Sequence, residues 1–343
     1  MPDRPFILSL TGMHESGMRL LHEAGELRMA SALDPATLQR EIVPADALVI
    51  RTAGVIDAAL LDCAPKLRVV GRHGVGVDQI DVPAATERGI QVVYTPGANI
   101  ESVAEHTIAF MIGLSKHLPQ QMTALLEGRY NDRTKLVGRD LKERTLGIIG
   151  FGRIGRRVGE IARIAFGMKV LYNDIVPAPL EVEARAGAVR VGLGELLETS
   201  EYVTLHVPLD ESTRGLLSRE ALSKLRPGAI LINTCRGPVV DEAAVADALD
   251  AQLLWGYAAD VFEVEPPPPG HPLIGRPDVL LTPHSAAQTI ESLRNMSTGV
   301  ALDVVGVLRG DPPLNPVNDP EAVATNRRRL GLPPLSEGWQ RGA

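Results

Sequence analysis

Three side chains in the second half of the chain, Arg236, Glu265 and His284, are of the types that hydride transfer to a carbonyl requires. Such chemistry needs one group to orient the substrate, one to polarise the carbonyl and one to deliver a proton. Arginine presents a planar, permanently charged fork to a carboxylate or carbonyl oxygen. Histidine changes charge near neutral pH, and a carboxylate beside it both orients the ring and favours the imidazolium form. Each residue follows an apolar run that reads as a strand: Ile230–Thr234, Tyr257–Phe262 and Leu280–Thr282. In open parallel sheets, ligands bind beyond the carboxyl ends of the strands, so all three fall on the reactive edge. Taken singly, each also admits a plain role: a surface arginine, a structural histidine in a Pro-flanked turn, a solvated loop acid.

The element that must bring a hydride carrier to that edge lies upstream. Leu146–Ile149 reads as a strand and Arg153–Phe166 as a helix, with Ile154, Val158, Ile161, Ala162 and Ala165 on one face. Between them stands Gly150-Phe-Gly152-Arg-Ile-Gly155. In that context Gly150 allows the tight turn, Gly152 admits a pyrophosphate to the backbone, and Gly155 lets helix and strand approach. The helix N-terminus offers free N–H groups and a partial positive charge to phosphate. Asp174 ends the next strand, Met168–Tyr172. A carboxylate there accepts from both ribose hydroxyls and repels a 2′-phosphate, which favours NAD over NADP. Arg153 can lean on the pyrophosphate or stay solvated.

About 140 residues precede this turn and need a fold of their own. They carry strand signals at Phe6–Leu10, Ala47–Ile50, Leu67–Val70 and Ile90–Tyr94, separated by short helical patterns. Ile100–Leu118 has almost no polar face and reads as a buried helix leaving one domain for the next. Further strands are expected at Tyr202–Val207, Ala229–Asn233, Gly256–Ala259 and Val279–Leu281. An amphipathic helix from about Gln288 to Leu308 returns the chain to its first domain. Asp319–Ala343 lacks periodicity and reads as an extended tail. The fold expected is α/β with two doubly wound parallel-sheet domains, a Rossmann domain (99–288) inserted in a flavodoxin-like domain (1–98 and 289–318), followed by the tail 319–343.

Composition narrows the partners. A net charge of −7 and 3% aromatic residues argue against a nucleic-acid surface. No apolar run is long enough for a signal h-region or a membrane span. The two cysteines, Cys63 and Cys235, point to a reducing, cytoplasmic setting rather than a disulfide framework.

The motifs together resemble the D-isomer-specific 2-hydroxyacid dehydrogenase family, from about Ala47 to Asn318. The stretches that carry the resemblance are Val70-Gly-Arg-His-Gly-Val-Gly-Val-Asp78, Pro96-Gly-Ala-Asn99 with Ser102-Val-Ala-Glu105, and Leu146 through Gly155. After them come His206-Val-Pro-Leu209, Asn233-Thr-Cys-Arg-Gly237, Asp260-Val-Phe-Glu-Val-Glu-Pro266 and Pro283-His284. The resemblance implies a catalytic set of Arg236, Glu265 and His284, and Asp260 against the nicotinamide carboxamide. It implies that Val103 packs on the nicotinamide and Pro208 lines the adenine side. Cofactor contacts from Ile154, His206, Val207, Thr213, Thr234 and Cys235 follow from it too. Backbone at Gly74, Val75 and Gly76 would take the substrate carboxylate. Arg51 matches an arginine that contacts substrate in the phosphoglycerate dehydrogenases of this family, or else is a surface residue. Cys235 could be a sensitive thiol beside Arg236 or a packing residue. NAD is the implied cofactor, and no metal is. The cleft of such enzymes lies between the two domains, and they dimerise through the nucleotide domain. Room for the regulatory C-terminal domain of some phosphoglycerate dehydrogenases is lacking.

The expected activity is interconversion of a small D-2-hydroxyacid and its 2-oxoacid, in the manner of phosphoglycerate dehydrogenase or hydroxypyruvate/glyoxylate reductase. Two other readings stand beside it. One is an NAD-sensing interaction module of the same family. The other is a formate or phosphite dehydrogenase, the formate enzymes carrying Gln where Glu265 stands.

Overall fold

The computed structural model describes residues 4–51 and 54–338. It divides into two compact units, one formed by residues 1–99 with 289–343 and the other by residues 100–288. The last five residues of the tail, 339–343, lie outside the described part.

The first unit is built on five strands: β1 (Phe6–Ser9), β2 (Glu26–Met29), β3 (Ala47–Ile50), β4 (Val69–Arg72) and β5 (Gln91–Val93). All pair in parallel, in the order β2-β1-β3-β4-β5, the flavodoxin-like arrangement. Side chains alternate across the sheet. Leu8, Leu48, Ile50, Val70 and Val92 face one layer, while Ile7, Ala47, Val49, Val69 and Val93 face the other. The second layer is closed by Val300, Ala301, Val304 and Leu308 of the long helix Ile290–Arg309. Thr289 caps that helix by accepting from the Ser292 amide.

The second unit holds seven parallel strands: β6 (Thr145–Ile149), β7 (Lys169–Asn173), β8 (Ala188–Arg190), β9 (Tyr202–Leu205), β10 (Ala229–Asn233), β11 (Leu254–Ala259) and β12 (Val279–Leu281). Their order is β12-β11-β10-β9-β6-β7-β8. This is the Rossmann pattern with one strand added, and its switch point lies between β6 and β9. Ile148, Ile230 and Ile232 face one layer, and Ile149, Leu205 and Leu231 the other. The helix Ile100–Ser115 contributes Ala104, Ile108, Met111 and Leu114 to the first of these layers. Gly256 and Gly113 let it close on the sheet, since a Cβ at either would meet Leu114 or Leu280 within 3.2 Å.

Elements outside the sequence expectation include β8, a three-residue edge strand with two exposed residues, and two others. Glu26–Met29 forms an edge strand; Glu-Leu-Arg-Met does alternate, but it is only four residues long with three of them exposed, unlike the buried apolar runs that mark the central strands. After Asp319 the chain is not an extended tail but a helix, Pro320–Arg329. It is fixed by Val323, fully buried, and by the buried Arg327, whose guanidinium donates to the carbonyls of Gly89 and Pro333 at 2.9 and 2.6 Å. A helix anchored by an arginine shows no apolar periodicity.

Candidate active site

The glycine turn is made as its spacing requires. Gly150 follows β6 with φ +89°, a conformation that favours glycine. A Cβ there would lie 2.6 Å from the His206 carbonyl oxygen, so β6 and the segment after β9 meet backbone to backbone at the switch point. A Cβ on Gly155 would lie 2.2 Å from the Gly150 carbonyl oxygen. Gly152 caps the helix Arg153–Phe166 with no side-chain acceptor, and a Cβ there would meet nothing within 4 Å. The first amides of the helix therefore face an open cradle that fits a pyrophosphate. Arg153 is exposed beside it, and Ile154 packs partly into the core. Asp174 stands just past β7; its Oδ2 accepts from the Phe151 amide at 2.6 Å and its Oδ1 from the Val176 amide at 3.0 Å. The carboxylate is thereby held against the turn.

At the same edge of this sheet, Glu265 and His284 meet, with Glu265 Oε2 2.7 Å from His284 Nδ1. Glu265 Oε1 accepts from the Phe262 amide at 3.1 Å. Burial pushes the Glu265 carboxyl up. The hydrogen bond and charge of His284, the Phe262 amide and the Arg236 charge outweigh that and leave it below the ordinary carboxylate value. His284 has φ +50°, a strained state for a side chain of its size, and its amide donates to the Asp260 carbonyl at 2.8 Å. Arg236 follows β10 and is fastened by a 2.7 Å bond from Nη1 to the Cys235 carbonyl.

Asp260 is buried and fully engaged. Its Oδ1 accepts from the Thr282 hydroxyl at 2.5 Å and the Ser285 amide at 2.7 Å, and its Oδ2 from the Ala286 amide at 2.8 Å. Because Thr282 donates to Asp260, its oxygen accepts from Nε2 of His106, 3.0 Å away. Burial lowers the pKa of His106, and the Asp260 charge opposes this. Sequence reading missed both His106 and Thr282: they are 176 residues apart, and His106 sits between Glu105 and Thr107 with nothing local to mark it.

The remaining cofactor candidates are placed as follows. Val103 is buried, and its carbonyl accepts from Thr107, whose hydroxyl also lies 3.1 Å from that of Thr234. His206 sits 3.0 Å from the Thr204 hydroxyl, and burial lowers its pKa to about 3. Val207 packs on the core, and Pro208 is exposed. Thr213 is spent inside its own loop, donating to the Pro208 carbonyl at 2.7 Å. Cys235 is buried, and burial pushes its thiol up to about 11 despite Arg236. Its burial favours the packing reading over the sensitive-thiol one. A groove of about 970 Å³ runs from Glu265 and His284 towards Thr123 and Arg276 within this unit.

In the first unit, the loop after β4 holds Gly74 at φ +136°, with its amide donating to Thr95 Oγ1 at 3.0 Å. Val75 is 37% exposed. Arg72, which sequence reading passed over, donates from Nε to the Gly76 carbonyl at 2.5 Å. His73 is buried, and burial, then Arg51 and Arg72, lower its pKa to about 4. Arg51 stands at the end of β3 next to residues 52–53, which lie outside the described part. Among the described residues no cluster of His, Cys, Asp and Glu could hold a metal ion, and no helix is long and apolar enough to cross a membrane.

Residues 108–286 match the NAD binding domain of the D-isomer specific 2-hydroxyacid dehydrogenases. The D-3-phosphoglycerate dehydrogenase of Methanocaldococcus jannaschii is 40% identical over 316 residues, covering 92% of this chain and 59% of that protein. Other D-3-phosphoglycerate dehydrogenases are likewise matched over little more than half their length. The glyoxylate reductase of Thermofilum pendens is 37% identical over 92% of this chain and 95% of its own. The crystal structure of D-lactate dehydrogenase from Aquifex aeolicus, complexed with NAD and lactic acid, superposes with a TM-score of 0.80 at 29% identity, covering 89% of this chain and 96% of that one.

Proposed function

The chain belongs to the D-isomer-specific 2-hydroxyacid dehydrogenase family, and we propose that it is an NAD-dependent oxidoreductase interconverting a small D-2-hydroxyacid and its 2-oxoacid. The observation that carries this reading is the Glu265–His284 pair at 2.7 Å, on the same sheet edge as the Gly150–Gly155 turn. Bound NAD supplies the hydride acceptor, and its reduced form the donor, at nicotinamide C4.

Each group then has a task. The open helix N-terminus at Gly152, with Arg153 and Ile154, binds the pyrophosphate, and Asp174 binds the adenosine ribose. His206, Val207, Pro208 and Thr213 lie along the adenine side. Val103, Thr234, Cys235 and Asp260 border the nicotinamide. Arg236 binds the substrate carboxylate and carbonyl oxygen. His284 gives a proton from Nε2 to that oxygen in reduction and takes it back in oxidation. Glu265, holding Nδ1, points Nε2 outward and stabilises the imidazolium. In the first unit, Gly74, Val75 and Gly76 bind carboxylate through backbone. Arg51, which matches a substrate-contacting arginine of the phosphoglycerate dehydrogenases, favours a substrate with a second anionic group, as in 3-phosphoglycerate, over unsubstituted glyoxylate.

A panel of glyoxylate, hydroxypyruvate and 3-phosphohydroxypyruvate with NADH, followed at the reduced-cofactor absorbance, tests the reading. Turnover of at least one supports it. NADH binding without turnover of any overturns it in favour of a nucleotide sensor.

We place the enzyme as a homodimer through its nucleotide-binding unit. Support comes from the segment 118–137, where Leu118, Met122, Leu125, Leu126, Tyr130 and Val137 are 50–80% exposed. Light scattering on the purified chain at twice the monomer mass is expected, and a monomer would reject the assignment. A cytoplasmic location fits the two free cysteines.

A further inference from the structure

A second carboxylate–imidazole pair lies outside the groups assigned so far. Glu242 begins the helix Glu242–Asp250, and its Oε2 lies 2.9 Å from His271 Nε2. Both side chains are buried, 6% and 7% exposed. The Leu273 amide donates to His271 Nδ1 at 3.4 Å, which leaves Nε2–H to donate to the carboxylate. The other oxygen, Glu242 Oε1, accepts from the Glu263 amide at 3.2 Å. The His271 ring stands edge-on to Phe262, with centroids 5.6 Å apart at 89°.

These contacts converge on the segment that carries Glu265. Phe262 and Glu263 are gripped by Glu242 through an amide and by His271 through a ring. Gly237, next to Arg236, closes the third side: a Cβ there would lie 1.9 Å from the Phe262 carbonyl carbon and 2.3 Å from the Glu263 nitrogen. The Phe262 amide in turn holds Glu265 Oε1, and Glu265 Oε2 holds His284. A buried carboxylate left without donors is costly, so its partners are tightly specified. We infer that Glu242 and His271 are positioning residues for the reaction: they set the 262–263 backbone, and through it the aim of Glu265 on His284. The inference rests on the roles proposed above for Glu265 and His284.

Glu242→Ala, Glu242→Gln and His271→Ala test it in the full chain, using whichever 2-oxoacid of the panel supports turnover with NADH. Glu242→Ala is expected to lower kcat about 10- to 100-fold, as a misplaced catalytic group does, with NADH affinity within about twofold of wild type. Hydrogen exchange of the 260–266 segment should quicken about tenfold with the rest of the unit unchanged. Glu242→Gln keeps an acceptor for the Glu263 amide but turns its NH2 onto His271 Nε2–H, so it should recover only part of the rate. His271→Ala should lie between the two. Unchanged kcat in Glu242→Ala overturns the inference. So does a loss that Glu242→Gln fails to rescue, accompanied by faster exchange throughout the unit, which marks a merely structural pair. If the wild-type chain itself turns over no 2-oxoacid, the fault lies with the proposed function, and the inference falls with it; wild-type turnover with an indifferent Glu242→Ala faults the inference alone.

Discussion

His284 occupies a left-handed backbone state while its amide is tied to Asp260 and its ring to Glu265. Backbone strain tolerated at such a position is a mark of function. His284→Ala is expected to lower kcat by about 10²–10⁴ with NADH binding retained, as loss of a general acid does; stopped-flow turnover beside a fluorescence titration checks both halves. Asp174→Ala should relax the preference for NAD, because the group that repels a 2′-phosphate is gone. The ratio of kcat/KM for NADH and NADPH reads this directly, and an unaltered ratio counts against the assignment. His73 gives a stability signal in the first unit. Its folded pKa of about 4 lies below the ordinary histidine value, so between roughly pH 6.5 and 4 the unfolded chain binds a proton that the folded unit does not. Stability therefore falls as pH falls through that window, by at most about 1.4 kcal/mol per pH unit. Thermal melts of wild type and His73→Leu should show a flatter pH dependence in the variant, and parallel curves would discount the effect.

At the scale of elements, the segment after β11 is held by backbone contact. Gly237→Ala forces a methyl group into the carbonyl of Phe262, which cannot rotate away. A destabilisation of about 1–3 kcal/mol is expected, with a loss of turnover out of proportion to any loss of NADH affinity. Denaturant melts and steady-state kinetics on one preparation measure the two. The same scale shows what could be read in the residues. The turn Gly150–Gly155 and its helix were legible because their logic is local: each glycine's task is set by neighbours a few residues away. The proposed catalytic trio is legible only through strand-end position and resemblance, since nothing local ties Glu265 to His284. Glu242 with His271, and His106 with Thr282, were not legible. Each member looks like an ordinary helix or loop polar residue until the fold buries it against its partner. The helix Pro320–Arg329 escaped notice for the same reason: its anchor is a guanidinium bonded to carbonyls, not an apolar stripe.

On the scale of the whole chain, the candidate groups are distributed over two parallel sheets. The seven-stranded unit carries the nucleotide turn and the Glu265–His284 pair, and the five-stranded unit carries the loop 74–76 with its flanking cations. Cysteine usage, charge and exposed apolar surface are properties of this scale as well. They bear on location and assembly and leave the reaction itself unaddressed.

One consequence of the chain's path concerns the order in which it takes shape. Residues 100–288 are contiguous, whereas the first sheet is covered on one side by the helix Ile290–Arg309, which is made only after everything between. On a ribosome the middle of the protein is therefore ready to mature first, while the amino-terminal strands wait, one apolar side covered only in part by the helix Glu15–Ala24, for a helix synthesised near the end. Limited proteolysis of nascent chains arrested with Gln288 just clear of the exit tunnel should spare residues 100–288 and cut the beginning, and uniform protection would speak against this sequence of events.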